Sequence, residues 1–92
     1  MLEIRETKQF KKQFKRVARS GDFDMRLFHA VLNVLARGES LDEKYRDHQL
    51  SGDMKEAREC HLKGDLLLVY KIRKEILVLS LVGIGSHSEL FD

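Results

Sequence analysis

The sequence has no proline and no tryptophan, a single cysteine, and no long apolar run. Without proline, internal repeats, low-complexity tracts or a plausible linker, residues 1–92 read as one domain. The lone Cys60 excludes an intrachain disulfide and, equally, a four-cysteine zinc site. A membrane-spanning helix needs about 20 consecutive apolar residues, and the longest runs here fall far short of that. Residues 1–20 carry seven basic side chains and no continuous apolar stretch, unlike a secretory signal. A cytoplasmic protein without membrane association is therefore expected.

What is present is enough for a real core. The chain has 92 residues, of which 42% are apolar, close to the length of one small domain. Charged residues make up 35%, yet the apolar ones fall in periodic runs, which argues against disorder. The net charge of +2 hides an asymmetry. Residues 1–46 hold 11 basic and 7 acidic side chains, whereas residues 47–92 hold 6 and 8. Most of the basic excess lies in residues 5–19, where Arg5, Lys8, Lys11, Lys12, Lys15, Arg16 and Arg19 face only Glu6. Such a stripe attracts phosphates, but a solvated helix face has the same composition.

Periodicity places the elements. Leu2 to Arg5 reads as a short strand. Thr7 can cap a helix from Lys8 to Ser20, with Phe10, Phe14 and Val17 on one face and Gly21 as a left-handed terminator. Asp22 or Asp24 can cap a second helix, whose stripe is Leu27, Phe28, Val31, Val34 and Leu35, closed by Gly38. Residues 39–55 are polar and aperiodic, and an irregular stretch of that length is often functional. Three strands follow, over 56–62, 66–72 and 76–82, with turns at Lys63-Gly64 and Arg73-Lys74. The expected fold class is α+β, with two N-terminal helices packed on one face of a small antiparallel sheet. The other face is left for a substrate or partner.

Of four histidines, His29 sits in the second helix beside apolar positions and is given no function. His48 lies in the irregular stretch, His61 near a turn and His87 in the tail, regions that can converge at one end of a meander. Three histidines could serve zinc, but none has the close spacing of familiar zinc motifs. Cys60 and His61 are neighbours in a strand and so point to opposite faces, with Cys60 in the core. Proton transfer on a phosphodiester fits these residues better. An RNA strand carries its own nucleophile, the 2′-hydroxyl, and histidine titrates near neutrality. Asp65 is a carboxylate available to fix a histidine's tautomer.

Three separated strings carry a family likeness: DHQLSG at 47–52, ECHLKGDLLLVYKI at 59–72 and GSHSELF at 85–91. They form a DH-x-L-x-G loop, an H-x-x-x-D hairpin running into an LLVYKI-like strand, and a G-[ST]-H-x-x-LF tail. Together, in this order, they resemble the YafQ branch of the RelE/ParE toxin superfamily across nearly the whole chain. The resemblance implies a RelE-like fold and the toxin of a type II toxin–antitoxin system, acting as a ribosome-dependent messenger-RNA endonuclease. It implies metal-free cleavage without a cofactor, giving a 2′,3′-cyclic phosphate and a 5′-hydroxyl.

Carried over position by position, the resemblance puts His48, His61, Asp65, His87 and Phe91 in the active site. His87 is one proton-transfer partner of the scissile phosphate. His48 and His61 supply the other transfer and phosphate binding, Asp65 orients or charges a neighbour, and Phe91 stacks on a base. Some relatives have tryptophan directly after the aspartate, where this chain has Leu66; across a Lys63-Gly64 turn, Leu66 is expected opposite His61. Lys8, Lys11, Lys12, Lys15, Arg16 and Arg19 become candidates for RNA phosphates, or for an acidic segment of a co-encoded antitoxin of ribbon-helix-helix type. Operator DNA is reached only through that antitoxin. Two alternatives stay open: a gyrase-binding inhibitor of the ParE type, for which three histidines are not needed, and a degenerate toxin that only binds its antitoxin.

Overall fold

The computed structural model describes residues 1–91. Its elements in order are β1 (Glu3–Glu6), α1 (Lys8–Ala18), α2 (Met25–Ala36), β2 (His48–Gln49), β3 (Arg58–Lys63), β4 (Leu66–Arg73), β5 (Val78–Gly85) and α3 (His87–Phe91). The sheet order is β1-β5-β4-β3-β2. The α+β expectation holds, with one difference: the sheet is mixed. β1 pairs parallel to β5, in a register from Glu3↔Val78 to Glu6↔Leu81, while the other pairs are antiparallel. None of the helices among the described residues is long and apolar enough to cross a membrane.

Capping explains the helix starts. Thr7 Oγ1 accepts a hydrogen bond from Phe10 N at 3.1 Å, and its hydroxyl lies 3.0 Å from the Leu81 carbonyl it donates to. One side chain thus starts α1 and ties it to β5. Asp24, not Asp22, caps α2 by accepting from Leu27 N at 3.1 Å. Each such cap contributes about 1 kcal/mol. Gly38 ends α2 in the left-handed region at φ 75°, as expected, but Gly21 does not do so for α1. That helix stops at Arg19, still right-handed, and Ser20 turns its hydroxyl back onto the Val17 carbonyl at 2.8 Å.

The phenylalanines of the helix stripes stack between the helices, Phe10 on Phe14 at 5.5 Å and on Phe28 at 6.3 Å. Below them the sheet offers Cys60, Leu62, Leu68, Tyr70, Leu79, Leu81 and Ile84, which complete one buried cluster. Alternation sends the residues between these, including Glu59, His61, Leu67 and Val69, to the opposite face.

Three boundaries differ from the sequence reading. The β3–β4 turn is Gly64-Asp65, with Gly64 at φ 59°, which suits the first position of a two-residue hairpin. A bulge between His61 and Lys63 absorbs the extra residue and leaves Leu62 buried. Leu66 consequently sits opposite Lys63, and Leu67 opposite His61. Second, β5 begins at Val78; Ile76 lies in a short 3₁₀ turn and is exposed. Third, the irregular 39–55 stretch contains two 3₁₀ turns and the two-residue β2.

Candidate active site

Two adjacent rows of paired residues cross the sheet on the face away from α1 and α2. One runs His48–Glu59–Val69–Gly83 and the other His61–Leu67–Gly85. Strands lie about 4.8 Å apart, so Gly85 is about two strand spacings from His61, and His87 follows two residues later. Leu67 and Val69 form a buried apolar bed between the histidine strands and α3. Gly83 lets β5 run close to α1 and α3, because a Cβ there would meet Gln13 Oε1 of α1 at 3.0 Å and a Leu90 methyl of α3 at 3.3 Å.

His48 is held at both ring nitrogens. Nδ1 lies 2.7 Å from the Arg46 carbonyl, which can only accept, so Nδ1 carries a proton. Nε2 lies 3.0 Å from Glu59 Oε2. This contact needs a proton on one side or the other: an imidazolium donating to a carboxylate, or a carboxylic acid donating to a neutral ring. The pair is therefore a shared-proton unit suited to giving or taking a proton. Glu59 is 6% exposed, and among the described residues its Oε1 has no hydrogen-bond partner. A buried, unpaired carboxylate oxygen is costly, and such sites are commonly functional. The His61 ring stands 6.3 Å from that of His48, centroid to centroid.

At the other end of the bed, His87 opens α3 and is exposed. Its ring packs against Phe91 at 5.1 Å and 47°. A reciprocal cap fixes this short helix. Ser86 N donates to Glu89 Oε1 at 2.8 Å, and Glu89 N donates to Ser86 Oγ at 3.2 Å. The bonds from Ser86 hold the Glu89 carboxyl below its ordinary range, with help from Arg16 of α1 at 3.2 Å.

The structure thus brings His48 to His61 and His87 to Phe91. Asp65 lies exposed in the hairpin turn and makes no hydrogen bond or ion pair with a histidine among the described residues. The carboxylate that faces a histidine is Glu59, which the sequence reading missed. Its signal was available: Glu59 is two residues from His61 in the same strand and therefore on the same face. Cys60, between them, points into the core, where burial first, then Asp47 and Glu59, push its thiol up to about 12. It is neither nucleophile nor ligand. His29 is exposed on α2, 6.0 Å from the Phe28 ring. The basic residues Lys8, Lys11, Lys12, Lys15, Arg16 and Arg19 are all exposed, and Phe10, Phe14 and Val17 occupy the opposite side of α1.

Comparison with known proteins identifies the family of the chain. The family described as a bacterial toxin of type II toxin–antitoxin system, YafQ, matches residues 2–92. The mRNA interferase toxin YafQ of Escherichia coli K12 is 29% identical over 90 residues, covering 97% of this chain and 95% of that protein. A metal-bound toxin from Helicobacter pylori superposes with a TM-score of 0.91 at 49% identity, over 99% of this chain and all of that one. The E. coli DinJ–YafQ complex matches with a TM-score of 0.85 at 28% identity over both full chains. Here, no group of three or more His, Cys, Asp and Glu side chains among the described residues is set to hold a metal ion. His48 and Glu59 face each other instead, and no step below runs through a metal. The chain belongs to the YafQ family of type II toxin–antitoxin toxins.

Proposed function

We propose that this toxin is a ribosome-dependent messenger-RNA endoribonuclease that cleaves by proton transfer among its own side chains. The observation that carries the reading is the 3.0 Å contact between His48 Nε2 and Glu59 Oε2 beside the His61 ring, with the His87–Phe91 pair beyond the apolar bed. Cleavage begins when the 2′-hydroxyl of the message attacks the adjacent phosphorus and gives up its proton to a base. The bond from phosphorus to the 5′-oxygen then breaks, and an acid protonates the leaving oxygen. The products are a 2′,3′-cyclic phosphate and a 5′-hydroxyl. His87 serves as one proton-transfer partner. His48 and His61 supply the other transfer and bind the phosphate, and Glu59 takes the orienting part expected of Asp65. Asp65, exposed in the hairpin turn, contacts the substrate instead. Phe91, exposed beside His87, stacks on a base.

The basic stripe on α1 supplies phosphate contacts that weaken with salt. The same stripe receives the acidic segment of a co-encoded antitoxin, in keeping with the E. coli relative seen in complex with DinJ. Arg16 is engaged internally by Glu89, so the docking set is carried mainly by the lysines.

The test is induced expression of the wild type, His87→Ala and His61→Ala, with growth and messenger-RNA ends followed. The expected outcome is arrest with new 5′-hydroxyl ends in the wild type and loss of both in His87→Ala. Undiminished arrest with intact messages in both variants refutes the nuclease reading.

A further inference from the structure

His48 enters the site on a strand of only two residues, which forms few ladder bonds of its own. Its anchorage lies on the other side of the sheet. Asp47, one residue earlier, turns its carboxylate towards the helix-facing layer. There Oδ2 accepts from the Tyr70 hydroxyl at 2.7 Å, and Oδ1 accepts from Arg58 Nε at 3.1 Å. Tyr70 is wholly buried in the middle of β4, so its hydroxyl is a fixed point of the core. Burial first, and then the bond to Asp47, push that hydroxyl's titration above its ordinary range, which keeps it a donor. Arg58 pairs with Gln49 of β2 on one side and with Tyr70 on the other, completing the network.

The flank before Asp47 is also constrained. Arg46 occupies the left-handed region at φ 49°, where residues other than glycine rarely sit unless their surroundings impose it. In that conformation its carbonyl meets His48 Nδ1. Successive strand residues project to opposite faces. Fixing Asp47 from the helix side therefore fixes the direction in which His48 leaves the other side.

We infer that Asp47, Tyr70 and Arg58 form a positioning clamp that sets His48 against Glu59, although none of the three faces the catalytic side of the sheet. This rests on His48 acting in proton transfer, as proposed above. The three are positioning residues. They act on the rate through the orientation of one imidazole, and a small misplacement of a reacting group costs on the order of 10²-fold in rate.

Tyr70→Phe is the sharpest variant, since it removes one oxygen and keeps the ring in the core; Asp47→Asn is a second that preserves shape. Cleavage of ribosome-bound message is measured as kcat and KM, together with the histidine ring signals by NMR. Thr7→Ala serves as a control that weakens the fold without touching the clamp. The expected result is a fall in kcat of about 10–100-fold for Tyr70→Phe, with any rise in KM smaller than the fall in kcat. The His48 ring signals shift and its proximity to the His61 ring is lost, while the His87 signals stay in place. A kcat for Tyr70→Phe no lower than that of Thr7→Ala, or His48 signals that do not move, overturns the clamp. His48→Ala is run alongside. Full activity in His48→Ala overturns the underlying catalytic reading, whereas an inactive His48→Ala beside a fully active Tyr70→Phe overturns the clamp itself.

Discussion

Asp47 and Glu59 are carboxylates beside the same two strands, one on each face of the sheet. Asp47 has both oxygens bonded, to Tyr70 and Arg58. Glu59 has one oxygen on His48, while the other is buried without a partner among the described residues. A carboxylate with all its bonds made has nothing left to offer a substrate, so its free energy goes into holding the chain. One left short carries a standing cost, tolerated where the missing donor arrives with a substrate or a moving proton. On the reading proposed above, the difference separates a structural acid from a chemical one.

The largest effect that could break this comparison is catalytic. Glu59→Gln keeps the shape but removes the shared proton, and the cleavage rate is expected to fall by about 10²–10⁴. Its unfolding free energy should change little, because the amide keeps the shape and can still bond His48 Nε2. An active Glu59→Gln in the ribosome-bound assay would return Glu59 to the structural class. Asp47→Ala is the converse case. It leaves the Tyr70 hydroxyl buried without an acceptor and should lower stability in urea by about 1–3 kcal/mol; a variant as stable as the wild type would show the network to be incidental.

Those two expectations also mark what the sequence made legible. Thr7 and Asp24 cap residues three positions on, and the Phe stripe of α1 repeats every turn, so the helices could be read locally. The core position of Cys60 followed from simple alternation. Contacts made across the fold could not be read. Tyr70 reaches Asp47 over 23 residues, and His48 meets Glu59 only because β2 pairs in one register. The Leu62 bulge moved the hairpin turn by one residue, because a ladder can absorb an unpaired residue that alternation does not count. The parallel partnership of β1 with β5 is likewise set by packing rather than by any local signal.

The smallest effect comes from Cys60, which lies between the two acids. Burial first, then Asp47 and then Glu59, raise its thiol from 9.0 to about 12. A raised folded-state value means that its contribution to stability is complete below pH 9. It is lost as the pH climbs through about 12, since the unfolded chain gives up its proton first. Tyr70 adds to the same alkaline loss from its ordinary 10.0 upward. Urea unfolding from pH 7 to 11 should show stability falling above pH 9, with a shallower fall in Cys60→Ala. The thiol, followed by the Cβ carbon signal of Cys60, should titrate lower in Asp47→Asn and, by a smaller step, in Glu59→Gln. Equal steps would mean that the two carboxylates act on the core alike.

The pairing of β1 with β5 also has a consequence in time. The strand at residues 3–6 finds its sheet partner only at residues 78–81, so the sheet cannot close until residue 81 has been made. Contacts so distant in sequence form late in folding. His87 and Phe91 lie beyond that pairing in sequence, on α3. On the reading proposed above, a chain whose β1 has not yet met β5 is not yet competent as a nuclease, so activity waits on that one long-range pairing.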